Sequence, residues 1–209
     1  MPEQDSASTA VRVQAAALRL FAERGYHGTG IRQLGDAAGL SSASLYHYMG
    51  TKEELLVAIM RTSLGSLLAA GERVAAEHPD PRDRLVALVG LHVRTHASAP
   101  AQTRVVDDEV RALSSTPRAE VIALRDRYES LWQQALEDGV ARGDFRVGSV
   151  AVARRALLEM CSGVARWWTP AGELDLDALA GEYATLALRL VGCEPVAGAA
   201  RRRRHAGTS

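Results

Sequence analysis

Apolar positions recur at three- and four-residue steps from about residue 9 to residue 192, and no stretch alternates apolar and polar residues cleanly enough for a strand. The pattern predicts an all-α chain. Gly25, Gly28 and Gly30 end a first helix, Gly39 marks a turn, and Thr51 opens a longer helix running to about Glu77. Pro79 and Pro81 mark the main boundary. Beyond it the periodicity predicts helices at about 82–97, 101–113, 118–142, 148–168 and 175–192, separated by Pro100, Pro117, Gly143 and Pro170.

The segment Ile31–Gly50 reads as two short helices held at a steep angle by a tight turn. Where such helices cross, their backbones approach closely, so a residue without a side chain is required; Gly35 occupies that place despite a helix-propensity cost of about 1 kcal/mol. Gly39 suits the left-handed conformation that ends the first helix, and Ser41 or Ser42 caps the second. Leu34, Ala38, Leu40, Leu45 and Met49 form an inward set, covered by Val13, Ala17, Leu20 and Phe21 of the preceding helix. The opposite face carries Ser42, Ser44, Tyr46, His47 and Tyr48, whose hydroxyls and ring nitrogen suit base edges and phosphate oxygens in a major groove of double-stranded DNA. Helix starts also attract phosphates, and two are available: Thr29 with Gly30 and Arg32, and Thr51 with Lys52. Thr51 and Glu54 spell a capping box that fixes where Lys52 sits.

Composition changes this picture in one respect. The 209 residues carry a formal charge of zero, whereas a basic face is the usual footprint of a DNA binder. Polar recognition groups and helix N-termini answer that objection locally, and the chain's only lysine, Lys52, lies inside the motif. Cys161 and Cys193 are far apart and suggest neither a disulfide framework nor a zinc site, which fits a reducing cytoplasm. No signal peptide and no transmembrane run of eighteen apolar residues is expected.

The stretch FAERGYHGTGIRQLGDAAGLSSASLYHYMGTKEELL resembles the DNA-binding domain of TetR/AcrR transcriptional regulators along its whole length. The resemblance implies a three-helix helix-turn-helix domain at residues 9–50, a connecting helix at 51–77 and a ligand-binding and dimerisation bundle at 80–192; the Gly-, Ala- and Arg-rich stretch 193–209 has no apolar period and is expected to be an unordered tail. It implies that Ser42, Ala43, Ser44, Tyr46, His47 and Tyr48 face the groove while Thr29 and Lys52 hold the DNA backbone. Two departures are visible: Gly30 stands where a hydroxyl residue is common, and Met49 replaces an aromatic.

A single recognition helix reads few base pairs, so such proteins pair across a two-fold axis and read a palindrome. One apolar stripe, Val150, Leu157, Cys161, Val164 and Trp168, and another, Leu176, Leu179, Tyr183, Leu186 and Leu190, are the expected dimer seam; packing within the monomer is the alternative. By the same resemblance the helices from about 82 to 142 enclose an effector cavity. Tyr128, Trp132 and Trp167 are its candidate walls, and Arg94, Arg104, Arg125 and Arg166 its candidate anion partners. The segments DDEVRAL and RWWTPAGELDLDALAGEYATLALRLVG are similar to members that respond to acyl-CoA thioesters; an apolar drug-like or aromatic effector is the competing reading.

Three further patterns point elsewhere. His92 and His96 stand one helical turn apart with Asp107, Asp108 and Glu109 following, yet no third and fourth metal ligand can be placed, so no metal site is expected. No nucleophile, cofactor motif or phosphate loop accompanies the acidic residues, so neither an enzyme nor a bound cofactor is expected. The Arg201–Arg204 run reads as a solvated terminus or as a nucleic-acid contact. The rival reading of the whole is a helical ligand-binding protein whose helix-turn-helix no longer reads DNA.

Overall fold

A computed structural model describes residues 2–193, with side chains from Ser8 onward; the tail after Cys193, including the Arg201–Arg204 run, lies outside the described residues. Among the described residues the regular structure is entirely helical. The helices are α1 (Pro2–Arg24), α2 (Ile31–Ala38), α3 (Ser42–Met49), α4 (Lys52–Glu77), α5 (Pro81–Ser98), α6 (Pro100–Asp108), α7 (Ser115–Ala141), α8 (Val150–Ser162), α9 (Val164–Trp167) and α10 (Leu176–Leu190). A 3₁₀ turn, Glu109–Ala112, follows α6.

The local chemistry explains most boundaries. Asp80 caps α5 by accepting from the Arg82 amide at 2.9 Å, with Pro81 in the first turn where its missing N–H costs nothing. Asp175 caps α10 through the Ala178 amide at 2.8 Å. Pro117, expected as a separator, instead lies in the first turn of α7, where the amides have no intrahelical partner in any case. α1 begins at Pro2 rather than near residue 9, because a helix can extend beyond its apolar stripe. The helix expected at 148–168 is divided at Gly163 into α8 and α9, and that division turns Ser162, Gly163 and Arg166 toward the interior described below. Cys193, placed with the tail by sequence, is buried and donates its amide to the Leu188 carbonyl at 2.9 Å, so the ordered core extends through it.

Two apolar clusters organise the molecule. The first centres on α5, whose Leu85, Leu88, Val89 and Val93 are wholly buried against α4, α7, α8 and α10. The second joins α1–α4, and it includes Val105, Val106, Leu113 and Val121 from α6, the turn after it and α7. The chain boundary at Pro79 and Pro81 is therefore not a boundary between cores: α6 packs into the core of the N-terminal helices. α4 belongs to both clusters, contributing Leu55–Leu64 to one and Leu67 and Leu68 to the other. By length and composition alone α4 passes for a helix that could cross a membrane, but half of its most apolar window is buried inside the protein, as in a core helix.

Four positions of the predicted stripes change meaning here. Leu157, Cys161, Val164 and Leu179, expected at a dimer seam, are fully or almost fully buried within the monomer. Their helices lie against α5, whose own apolar surface claims those residues. Val150, Trp168, Leu176 and Tyr183 pack half-buried at the margin of the same core, and the Trp168 indole N–H donates to the Leu174 carbonyl at 3.0 Å. Only Leu186 and Leu190 of the expected set stand exposed.

Candidate nucleic-acid interface and effector cavity

The geometry of α2 and α3 follows from two glycines and two caps. A Cβ placed on Gly35 would lie 2.8 Å from the backbone oxygen of Leu40, closer than real side-chain carbons come, so any larger residue pushes the turn away from α2. Gly39 adopts φ +69°, ψ +36°, and the Leu40 amide closes back on the Gly35 carbonyl at 2.9 Å. Ser41 caps α3 by accepting from the Ser44 amide at 3.1 Å. Thr51 caps α4 at the Glu54 amide, and the Glu54 carboxylate accepts the Thr51 amide at 2.7 Å, completing the expected capping box. Leu34, Ala38, Leu45 and Met49 are buried against Val13, Ala17, Leu20 and Phe21.

What remains outward is the opposite face of α3. Ser42, Ala43, Ser44, Tyr46 and His47 are exposed, Tyr46 with half its surface open, whereas Tyr48 is half-buried against the cluster and packs edge-on to His47. Arg32 is exposed at the start of α2, a terminus without a side-chain cap, where the Gly30 amide is taken up by the Gln33 side chain at 2.9 Å.

Two residues assigned to the DNA backbone are placed otherwise. Thr29 is buried, and its hydroxyl lies within reach of the Gly25 carbonyl at 2.9 Å and the Leu20 carbonyl at 3.3 Å, so its side chain fastens the α1–α2 loop and is not offered to phosphate. The Lys52 ammonium donates to the Tyr26 and Thr29 carbonyls, each at 2.9 Å, and sits 4.2 Å over the Tyr26 ring. Lys52 is thus a strut between the start of α4 and that loop, with two of its three donors spent inside the protein.

The C-terminal half encloses a cavity of about 430 Å³ between α4–α9. Its apolar side includes Leu64, Leu67 and Leu158, and the rest is polar: His92, His96, Thr103, Tyr128 and Ser162, with Arg104, Arg125 and Arg166 among four carboxylates. Of the expected walls, Tyr128 and Arg166 line it. Trp132 is fully buried, in edge contact with His92 and Tyr128, and Trp167 is exposed on the outer surface, so neither does. Arg94 lies outside as well, paired with Asp177 at 3.0 Å.

Local spacing marks the His92–His96 pair on α5, but the sequence does not tell that it is internal. The rings stack with centroids 3.7 Å apart, and burial holds His92 well below the usual imidazole range. Burial also lowers His96, to about 4, with the Arg125 guanidinium adding to the effect. Asp107 is pushed upward by burial even though Arg125 stands 3.2 Å away. Cys161 is buried with its thiol raised to about 12 by desolvation, which makes it inert packing. Among the described residues no group of three metal-ligating side chains converges.

The cavity is connected to the N-terminal helices through α6. Thr103, Arg104 and Asp107 line it from that helix, while Val105 and Val106 on the other side enter the N-terminal core. Directly after α6 the Glu109 carboxylate accepts the Tyr26 amide at 2.9 Å, and the Ser114 amide donates to Glu53 at the start of α4.

Residues 14–59 match the N-terminal model of the tetR family of bacterial regulatory proteins, and residues 78–191 match a tetracyclin repressor-like C-terminal domain. The chain is 33% identical to the HTH-type transcriptional repressor KstR2 of Rhodococcus jostii over 82% of this chain and 85% of that protein. A tetR-family regulatory protein from Rhodococcus RHA1 has a similar structure, with TM-score 0.83 and 32% identity over 90% of this chain and 98% of its own. AibR, solved in complex with isovaleryl coenzyme A and operator DNA, shares the fold at TM-score 0.79 and 22% identity over 89% of this chain and 100% of its own. This chain belongs to the TetR family of bacterial regulatory proteins, and it is a DNA-binding transcriptional regulator rather than an enzyme.

Proposed function

We propose that the protein is a cytoplasmic homodimeric repressor that holds palindromic operator DNA through α3 and leaves it when a small molecule, an acyl-CoA thioester, enters the cavity. The observation that carries the DNA assignment is the open outward face of α3, with Ser42, Ala43, Ser44, Tyr46 and His47 free of the protein behind it. Arg32 and the uncapped start of α2 supply backbone contacts, and Lys52 acts chiefly by fixing the loop from which they project.

Two copies are needed to read two half-sites about one helical turn apart. The outward faces of α8 and α10 are suited to this pairing: Val152, Leu186 and Leu190 are exposed apolar residues, and Ala156 stands exposed one turn after Val152. Gly181 sits in the middle of α10 with nothing near its missing Cβ, so its propensity cost of about 1 kcal/mol finds no reason inside the monomer. A close-approaching partner helix supplies one.

For the effector, the thioester reading rests on the three arginines at the cavity and on AibR, a protein of the same fold whose printed ligand is an acyl-CoA. The polar wall disfavours a purely apolar drug-like occupant, which would leave those groups unpaired. Occupation displaces α6, and the Glu109 and Ser114 contacts carry that displacement to α1 and α4, shifting the two recognition helices out of step with successive grooves. A gel-shift on the DNA upstream of the protein's own gene tests the reading. The retarded band should form with the protein alone and disappear on titration with acyl-CoA thioesters; a band that no thioester weakens would contradict the effector assignment.

A further inference from the structure

The cavity wall has hydrogen-bonding functions that the protein leaves unused, and they define a ligand group. His96 is nine-tenths buried and lines the cavity. Its Nδ1 lies 2.9 Å from the His92 carbonyl oxygen, which can only accept, so the ring proton resides on Nδ1 and Nε2 is a bare acceptor. No described side chain or backbone group bonds to that Nε2. The lowered basicity of His96 keeps the ring neutral across the physiological range.

The neighbouring groups supply the opposite function. His92 contacts the Tyr128 hydroxyl through Nδ1 at 3.1 Å and the Ser162 hydroxyl through Nε2 at 3.0 Å. A neutral imidazole has one proton and one lone pair, so one hydroxyl donates to it and the other accepts from it. In either tautomer the accepting hydroxyl keeps its own proton. Both Tyr128 and Ser162 line the cavity, so the wall always offers one spare O–H donor beside the bare His96 acceptor.

We infer that the effector carries a hydroxyl group on the part enclosed by the cavity, seated between His96 and the Tyr128–His92–Ser162 chain. Its O–H donates to His96 Nε2, and its oxygen accepts the proton left over on Tyr128 or Ser162. A ketone at the same place uses the spare donor and leaves Nε2 bare; a methylene leaves both unpaired in a buried site. Such sites discriminate strongly, because the analogue lacking the hydroxyl strands polar groups already removed from water. The inference rests on the effector reading above, and with it names a hydroxyacyl thioester. His96 is then a specificity-determining residue.

Calorimetric titration of the full-length protein with matched thioesters tests this: 3-hydroxybutyryl-, acetoacetyl- and butyryl-CoA, the corresponding octanoyl series, and the free acids of each. The pantetheine amides are common to all thioesters and cancel. The hydroxy form of one series should bind at least about tenfold more tightly than its unsubstituted partner, with the ketone between them. His96→Leu should reduce that preference to less than about threefold and His96→Gln, which keeps an acceptor, should retain part of it, while DNA binding without ligand shows that both variants fold. Thioesters that bind equally well with and without the hydroxyl overturn the inference and leave the thioester reading standing. Binding of the free hydroxy acids alone overturns the thioester reading and leaves the hydroxyl; silence across the whole set overturns both.

Discussion

The outer face of α3 and the wall of the effector cavity both collect hydroxyls and imidazoles, yet they are built in opposite ways. On α3 the polar groups sit within six residues of one another, face water, and have almost no obligations to the protein. Around the cavity His92, His96, Tyr128 and Ser162 come from three helices and are bonded to one another, the first three buried and Ser162 half-buried. The first surface owes its form to what lies behind it, two glycines and two caps. The second depends on long-range packing of α5 against α7 and α8. On the proposed function, recognition of DNA therefore needs little net charge but an accurate tilt of one helix, whereas recognition of the effector needs a desolvated network.

The largest expected effect breaks the symmetry between the two surfaces by acid. His96 is lowered from 6.5 to about 4 in the folded protein, so between those values the unfolded chain takes up a proton that the folded chain refuses. Stability is then full above pH 6.5 and falls as pH drops through that window, by up to about 3 kcal/mol for this residue, with His92 acting in the same direction. Urea unfolding followed between pH 7 and pH 4 should show the decline, and His96→Leu should flatten it. A slope identical in the variant would assign the acid sensitivity to other groups.

Next in size is Gly35→Ala. The added methyl meets the Leu40 carbonyl oxygen, and relieving it moves backbone rather than a flexible side chain. Thermal and chemical unfolding should report a loss of about 1–3 kcal/mol. DNA affinity should fall because α3 is re-aimed, while calorimetric binding of any effector remains, since neither α2 nor α3 contributes to the cavity wall.

The smallest change concerns the link between the regions. Glu109→Gln keeps the shape but weakens the charged acceptor for the Tyr26 amide, with an expected effect of about 0.5–1.5 kcal/mol. Operator binding and effector binding measured separately should stay near wild type, and the concentration of effector needed to release DNA should rise several-fold. Unchanged release would place the coupling elsewhere along α6.

The difference between the regions also accounts for what the sequence made legible. Gly35, Gly39, the Ser41 cap and the Thr51–Glu54 box act within a few residues, so their spacing alone announced the turn, the buried set and the free face. Thr29 and Lys52 were visible as members of the motif, but their inward bonds to the α1–α2 loop depend on how the loop folds back, which spacing does not encode. The stripes on α8 and α10 could not say against what they pack; α5 took Leu157, Cys161, Val164 and Leu179, and Leu186 and Leu190 beside them remain exposed. Arg104, Arg125 and Arg166 were named for the cavity with Arg94, and only the fold separates the three that line it from the one on the surface. His92 and His96 stand as a pair in the sequence, but their use as stacked, neutral wall groups depends on α7 and α8, which spacing along α5 does not encode.

The claim on which all of this depends is that the open side of α3 reads DNA, and Tyr46 tests it most directly because half of its surface is exposed and nothing in the monomer rests on it. Fluorescence anisotropy on the upstream DNA should show Tyr46→Ala binding about tenfold or more weakly than wild type, at an unchanged melting temperature. Equal affinity of the two proteins for that DNA, with the fold intact, would contradict the account.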